Sequence, residues 1–295
     1  MARRWTAIVN PSAGSGRVTR ALPRLSNAFA ALDADVDIRV SERLEDARDL
    51  AIDAVKDRRG IVACGGDGTV AELAGVAAEH DAPLAIVPLG SGNDFARSLG
   101  IDTKRPPDAV RLLTGGVEQR CDLGRVNGRW FTSVANTGFD SEANRWANDV
   151  TAVSGTPLYV LATLRTLVSY TPHRFRLSVD GSTTEHRAWL LAVGNGTMYA
   201  GGMRITPEAS LHDGRLDVTI VGASSRATFL RNFPKVFSGT HVEHRLVTQL
   251  RGARIEIESL DESVPIEIYA SGERVGPLPA ELEVARDALR VMLPQ

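Results

Sequence analysis

With 295 residues, 43 % of them hydrophobic, the chain is long enough for two compact domains with separate cores. Charged residues make up 24 % and sum to −2, which excludes a global basic field for nucleic acid and leaves any cationic surface local. The two cysteines, Cys64 and Cys121, have no second cysteine or histidine at metal-ligand spacing, so they read as reduced, buried thiols.

The basic start Met1-Ala2-Arg3-Arg4 precedes an apolar run of only Trp5 to Val9, too short for a signal-peptide core. No stretch approaches the ~20 apolar residues of a spanning helix. The expected location is cytoplasmic. Trp5 to Asn10 then reads as a strand, Arg17 to Leu32 as a helix, Asp35 to Ser41 as a strand and Leu44 to Lys56 as a helix. Gly60 to Cys64 (strand), Val70 to Glu79 (helix) and Leu84 to Pro88 (strand) continue the alternation. This rhythm predicts a parallel sheet covered by helices on both faces.

Beyond this the texture becomes β-rich: Arg129 to Asn136, Arg174 to Val179, His186 to Gly194, Arg215 to Val221, Arg254 to Glu258 and Pro265 to Ala270. Helical inserts are expected over Pro157 to Ser169 and Arg226 to Phe237, the latter with Phe229, Leu230, Phe233, Val236 and Phe237 on one side. The expected fold is therefore α/β, with a doubly wound parallel-sheet domain over 1–122 and a mostly antiparallel, β-rich domain over 123–295. The sequence leaves open which domain the last strand, Ala288 to Leu293, completes.

Three glycine-rich turns each follow a predicted strand: Asn10 to Gly16, Gly65-Gly66-Asp67-Gly68-Thr69, and Leu89-Gly90-Ser91-Gly92-Asn93-Asp94. In a parallel sheet all three lie at the carboxyl edge, where ligands bind, so they should converge. Glycine permits close approach, letting backbone N–H groups and helix N-termini face phosphate oxygens. A single such turn is equally a tight strand-to-helix connection. Asp67 adds a carboxylate where phosphate would be repelled unless a magnesium ion lay between them. Gly66, Gly68 and Ala71 match the loose dinucleotide fingerprint but follow the third strand rather than the first. His173, His186, His241 and His244 show no metal spacing and are assigned no role.

These motifs resemble the catalytic domain shared by soluble diacylglycerol, ceramide and sphingosine kinases. The likeness continues through Thr137-Gly138-Phe139-Asp140, Gly194-Asn195-Gly196, Gly201-Gly202, Pro207-Glu208-Ala209, Leu211 to Val218 and Ser271-Gly272-Glu273. The middle turn alone is shared with NAD kinases. The resemblance implies an ATP- and Mg²⁺-dependent transfer to a lipid hydroxyl, diacylglycerol to phosphatidic acid first, as a step of phospholipid biosynthesis. Sphingoid-base and other lipid kinases, NAD kinase and a non-catalytic nucleotide-binding regulator stand behind it.

By the same resemblance Asn10, Arg17, Gly65, Gly66, Gly68, Thr69, Glu72, Gly90, Ser91, Gly92 and Asn93 are expected at the nucleotide. Asp67 is expected to organise magnesium as a catalytic residue on a loop, so that Asp67→Ala leaves the fold intact. Asp213 and Asp217 are expected at a structural magnesium, an Asx-capped turn being as good a reading, and Asp140 and Asp94 at the lipid substrate. Where the family carries an Asp-Gly-Glu turn, facing the acceptor across the cleft, this chain has Ser271-Gly272-Glu273. Proton removal is left to Glu273, with Ser271 beside it, or to Asp67. The partners implied are a lipid at a membrane surface, with peripheral contact at the inner face of the membrane, and a possible homodimer; no nucleic acid is expected. Phe229, Phe233 and Phe237 beside Arg226, Arg231 and Lys235 suit either an anionic interface or ordinary core packing.

Overall fold

The structure, a computed structural model, describes residues 4–11, 17–139, 170–261 and 265–295. The chain divides into a first unit of Met1–Leu123 with Arg286–Gln295 and a second of Gly124–Ala285.

In the first unit β1 (Arg4–Val9), β2 (Asp35–Val40), β3 (Gly60–Gly65) and β4 (Pro83–Pro88) alternate with α1 (Arg17–Ala30), α2 (Leu44–Lys56) and α3 (Asp67–Glu79). Every pairing is parallel. β3 is buried from end to end, which is why Gly-Ile-Val-Ala-Cys-Gly shows no polar alternation. Ala47, Ala51 and Ala54 of α2 are buried, as are Ala71, Ala74 and Ala77 of α3; such small side chains let the two helices lie close together.

The final strand, β15 (Ala280–Leu293), settles the open question about the chain's end. Arg290 and Val291 pair in parallel with Pro83 and Leu84, and Met292 joins the core of Val62 and Ala85. Residues 286–295 thus complete the first unit rather than the second, and the sheet order there is β15-β4-β3-β1-β2.

The second unit is antiparallel throughout its described pairings. β5 (Val117–Val126) leads into it, followed by β6 (Arg129–Phe131), β7 (Val134–Gly138), β8 (His173–Val179) and β9 (Ser182–Gly194). β10 (Leu216–Gly222), β11 (Val247–Gly252), β12 (Arg254–Ser259), β13 (Glu267–Ala270) and β14 (Glu273–Pro277) follow. β9 is central and buried from Ala188 to Gly194, because both its faces are covered. Leu191 and Val193 join a core with Phe175 and Ile257, whereas Trp189 and Ala192 join another with Phe139 and Phe229.

Two expectations change here. The strand read over Arg129 to Asn136 is broken at Thr132-Ser133 into β6 and β7. The insert Arg226 to Phe237 is an α-helix only over Arg226–Asn232 and continues as a 3-10 turn, Phe233–Val236, since Pro234 has no N–H to continue the ladder. The helix expected over 157–169 lies outside the described residues.

Candidate functional site

The sheet order of the first unit reverses direction between β1 and β3, the position at which open α/β sheets bind ligands. Asn10, which opens the first glycine-rich turn, meets the second and third turns there; residues 12–16 lie outside the described residues. The Asn10 N–H donates to Cys64 O (3.1 Å) and the Leu89 N–H to Gly65 O (2.8 Å), tying the turn after β1 and the turn after β4 to the end of β3. The Asn10 side chain crosses to the second turn, Nδ2 donating to Thr69 Oγ1 at 3.0 Å.

The second turn is not a loop. Gly66 caps α3, and Asp67, Gly68 and Thr69 form its first turn, three residues ahead of the expected start at Val70. No side chain caps this end, so the N–H groups of Gly68 and Thr69 stand at the positive end of the helix dipole. A Cβ built on Gly90 would lie 2.5 Å from Gly66 Cα, so two backbones pass with no room for a side chain. Uncapped N–H groups beside bare glycine backbone fit a phosphate chain.

Asn93 takes a left-handed conformation (φ +54) that asparagine tolerates better than most residues. Its side chain closes its own turn: Oδ1 accepts the Gly90 N–H (2.8 Å) and Nδ2 donates to Gly90 O (2.9 Å). It shapes the cradle with both polar atoms, and the expected ATP contact falls to its neighbours. Gly65 is buried against Thr69, while Ser91 and Gly92 form the open tip.

Asp67 has a different task from the one expected. One carboxylate oxygen accepts the Asn93 N–H (2.7 Å) and the other the Asp94 N–H (2.6 Å), at the start of α4 (Asp94–Ser98). Burial raises its carboxyl above the ordinary range, opposed by N–H bonds from Asp94, Asn93 and Phe95 and from its own backbone. Four donors match the roughly four lone-pair positions of a carboxylate. Asp67 therefore fastens the third turn onto the second, and it does not fit a direct magnesium ligand.

Other candidates are placed elsewhere. Glu72 pairs with Arg48 of α2 (2.9 Å), which also holds Glu79 (3.0 Å), so it joins two helices rather than meeting phosphate. Asp94 is buried in the first turn of α4, and this burial sets it apart from the exposed contact a lipid head group needs. The Arg17 side chain and Asp140 lie outside the described residues.

In the second unit Ser271 and Gly272 form the two-residue turn between β13 and β14, both with positive φ (+49 and +87). That is the geometry favouring Asn-Gly or Asp-Gly, so an aspartate would suit this position by conformation as well as by chemistry. Ser271 Oγ accepts the Thr132 N–H at 3.2 Å and lies 3.3 Å from Thr132 Oγ1. It is a structural hydroxyl. Glu273 is exposed, and its carboxylate has no partner among the described residues.

Asp213 and Asp217 do come together, but around an arginine. Arg251 binds Asp217 Oδ1 through two nitrogens (2.7 and 3.0 Å) and lies 3.8 Å from Asp213, which also accepts the Arg215 N–H as an Asx turn does. The guanidinium supplies the positive charge expected of magnesium. Among the described residues no group of three acidic, histidine or cysteine side chains is arranged to hold a metal. Sequence reasoning missed Arg251 because nothing local marks it: it lies 34 residues from Asp217.

The downstream glycine motifs are architectural. Asn195 Nδ2 donates to Thr132 O (2.9 Å), and Thr206 Oγ1 donates to Gly196 O (2.8 Å) in space that a side chain on Gly194 would fill. Phe139 packs edge-on against Tyr170 and Trp189 and touches Phe229 at 5.0 Å between rings. Beside this cluster a pocket is lined by Leu190, Tyr199, Ile205, Phe229, Phe233 and His241. Most of the expected aromatic face is therefore core, with only Leu230 and Phe237 well exposed.

A family profile described as the diacylglycerol kinase catalytic domain matches residues 4–126, and one described as the YegS C-terminal NAD kinase beta sandwich-like domain matches residues 133–293. A Mycobacterium tuberculosis protein named diacylglycerol kinase is 38 % identical over 98 % of this chain and 95 % of its own length. The chain belongs to this lipid kinase family. A Bacillus subtilis diacylglycerol kinase is 26 % identical over 99 % of the chain and 97 % of its own, and a Pseudomonas aeruginosa "Probable lipid kinase YegS-like" is 32 % identical over 79 % and 76 %. A Bacillus anthracis protein solved as a candidate diacylglycerol kinase superposes with a TM-score of 0.81 at 27 % identity, covering 99 % of this chain and 97 % of that one.

Proposed function

We propose that the chain transfers the γ-phosphoryl group of ATP to a lipid hydroxyl, with diacylglycerol as acceptor and phosphatidic acid as product. The observation that carries this reading is the meeting of Asn10 with the second and third glycine-rich turns at the switch point, with the uncapped N–H groups of Gly68 and Thr69 beside the Gly66–Gly90 contact. Phosphoryl transfer calls mainly for positioning and charge stabilisation, and both come from a rigid backbone cradle. When bound, ATP supplies the transferred group. Asn10 is tied to the second turn and Asp67 fastens the third turn onto the second, and the α3 N-terminus offers donors to phosphate oxygens. Since Asp67 is fully engaged and Arg251 stands between Asp213 and Asp217, no step is assigned to a protein-held magnesium.

Glu273 is the group offered to take the acceptor's proton, since its carboxylate is exposed while Ser271 is bonded to Thr132. Glu273→Gln should lower kcat by about a hundredfold, in the usual range for a lost general base, with little change in ATP affinity. Wild-type kcat in that variant removes Glu273 from the mechanism. The acceptor's apolar body suits the mainly hydrophobic lining of the second-unit pocket, Leu190, Ile205, Val221, Phe229 and Phe233. Access from a bilayer is supported by Leu230 and Phe237, each 39 % exposed beside Arg231 and Lys235. No described helix is long and apolar enough to cross a membrane.

Labelled ATP and magnesium, offered with diacylglycerol, ceramide, sphingosine or NAD in parallel, test the whole reading. Labelled phosphatidic acid is expected. Label in another lipid alone would move the substrate to the broader group that the YegS-like relatives represent. ATP binding without any product would end the kinase reading.

A further inference from the structure

The turn that carries Glu273 has little packing to hold it. β14 is the edge strand of the order β14-β13-β7-β9, and a Cβ on Gly272 would meet nothing within 4 Å. A tip with so few contacts opens readily unless polar bonds fix it. Those bonds come from the segment around the break between β6 and β7. The Thr132 N–H donates to Ser271 Oγ (3.2 Å), the Ser271 N–H donates to Val134 O (3.0 Å), and Arg129 Nη1 donates to Arg274 O (3.1 Å). Thr132 and Ser133 leave the strand path at this break, so their own carbonyls need partners from elsewhere. The end of β9 supplies them. Asn195 Nδ2 donates to Thr132 O (2.9 Å), and the Asn195 and Gly196 N–H groups each donate to Ser133 O (2.9 Å). Gly196 O in turn accepts from Thr206 Oγ1 at 2.8 Å. Thr132, Asn195 and Thr206 are all 0 % exposed, and in such surroundings each bond is strong and costly to break.

We propose that Asn195 is a positioning residue for Glu273. Its side chain holds Thr132, Thr132 holds Ser271, and the two-residue turn passes that placement on to the carboxylate. The proposal rests on the reading of Glu273 as the group that takes the acceptor's proton, and adds to it a buried residue, 78 positions away in the chain, that acts only through the turn. The side chain of Asn195 is separable from its backbone here: replacing it removes the tie to Thr132 O and leaves both backbone bonds to Ser133 O in place.

Asn195→Ala in the full chain tests this by amide hydrogen exchange and by kinetics with ATP and diacylglycerol. Exchange at Thr132 and Ser271 should be about tenfold faster, the effect of one lost buried hydrogen bond. The same variant should lose about tenfold in kcat with KM for ATP unchanged. In a Glu273→Gln background it should lose less than about twofold, because a residue acting only through Glu273 then has nothing left to place. An additive loss in that background means that Asn195 serves the fold in general and overturns the proposal, as does wild-type exchange or wild-type kcat in Asn195→Ala. Ser271→Ala cuts the same relay at the surface turn and serves if Asn195→Ala does not fold, with the same non-additivity expected. Ser271→Asn, whose side-chain oxygen can accept the Thr132 N–H and which suits a left-handed φ, should recover kcat to within about threefold. Absence of that recovery breaks the link between Thr132 and the turn and overturns the proposal. A wild-type chain that phosphorylates no lipid ends the kinase reading and the proposal together, whereas additivity in an active enzyme ends the proposal alone.

Discussion

Asp67→Ala is expected to lower kcat by at least about a hundredfold and to lower Tm by roughly 5–10 °C at the same time. The first effect follows from geometry: without the carboxylate the third turn is released from the second, and a displacement of about 1 Å in a positioning site costs on the order of a hundredfold. The second follows from the N–H groups of Asn93 and Asp94, bound now at 2.7 and 2.6 Å, which would lose a charged acceptor. That loss is worth about 2–4 kcal/mol, and a domain of this size shifts by roughly 2–4 °C per kcal/mol. Asp67→Asn should be nearly as harmful, because a carboxamide turns an N–H toward one of those two donors. Thermal unfolding alongside steady-state kinetics separates the roles. Lost activity at wild-type Tm would return Asp67 to the purely chemical role expected from sequence, and wild-type activity would remove it from the mechanism.

Gly90→Ala is the second large effect. Its Cβ would lie 2.5 Å from Gly66 Cα and 2.9 Å from Asn93 Oδ1. The first contact is with backbone, so no rotamer change relieves it, and the turns after β3 and β4 must separate where the phosphates are to bind. The apparent KM for ATP should rise at least about tenfold, with kcat falling as well, since the same displacement disturbs positioning. Gly115→Ala is the matched control, with nothing within 4 Å of the new Cβ. It should change Tm and kinetics by no more than a typical surface substitution, about 0.5 kcal/mol. A Gly90→Ala variant with wild-type ATP kinetics would mean that the close approach of the two turns is not required.

Much of the first unit was legible because its signals are local. α2 lies at Leu44–Lys56, as its apolar spacing predicts, and the strands fall within a residue or two of their expected bounds. The start of α3 was not legible. Asp67, Gly68 and Thr69 look like loop residues, yet polar residues and glycine are tolerated in a first turn whose N–H groups have no helical partner. The second unit hid more. β14 reads Glu-Arg-Val-Gly-Pro, an edge strand with too little apolar content to mark itself as one, and only its first residue, Glu273, stands in a recognisable motif. β15 begins eight residues ahead of the expected Ala288, with Ala280, Glu281, Leu282 and Glu283 alternately buried and exposed at period two.

By itself the sequence determined that the chain carries a helix-flanked parallel sheet with glycine-rich turns at its strand ends, because periodicity and glycine placement act over a few residues. It also carried the family, through motifs spread along both units. Only the tertiary structure decided how the polar atoms in those motifs are spent. Asp67 is occupied by backbone 26 residues away, Ser271 by Thr132 at a distance of 139, and Asp217 by Arg251. A carboxylate or hydroxyl has few lone pairs, and which donors reach them is set by how distant segments pack, so a motif can show where a cradle forms without showing which of its side chains remain open to a ligand.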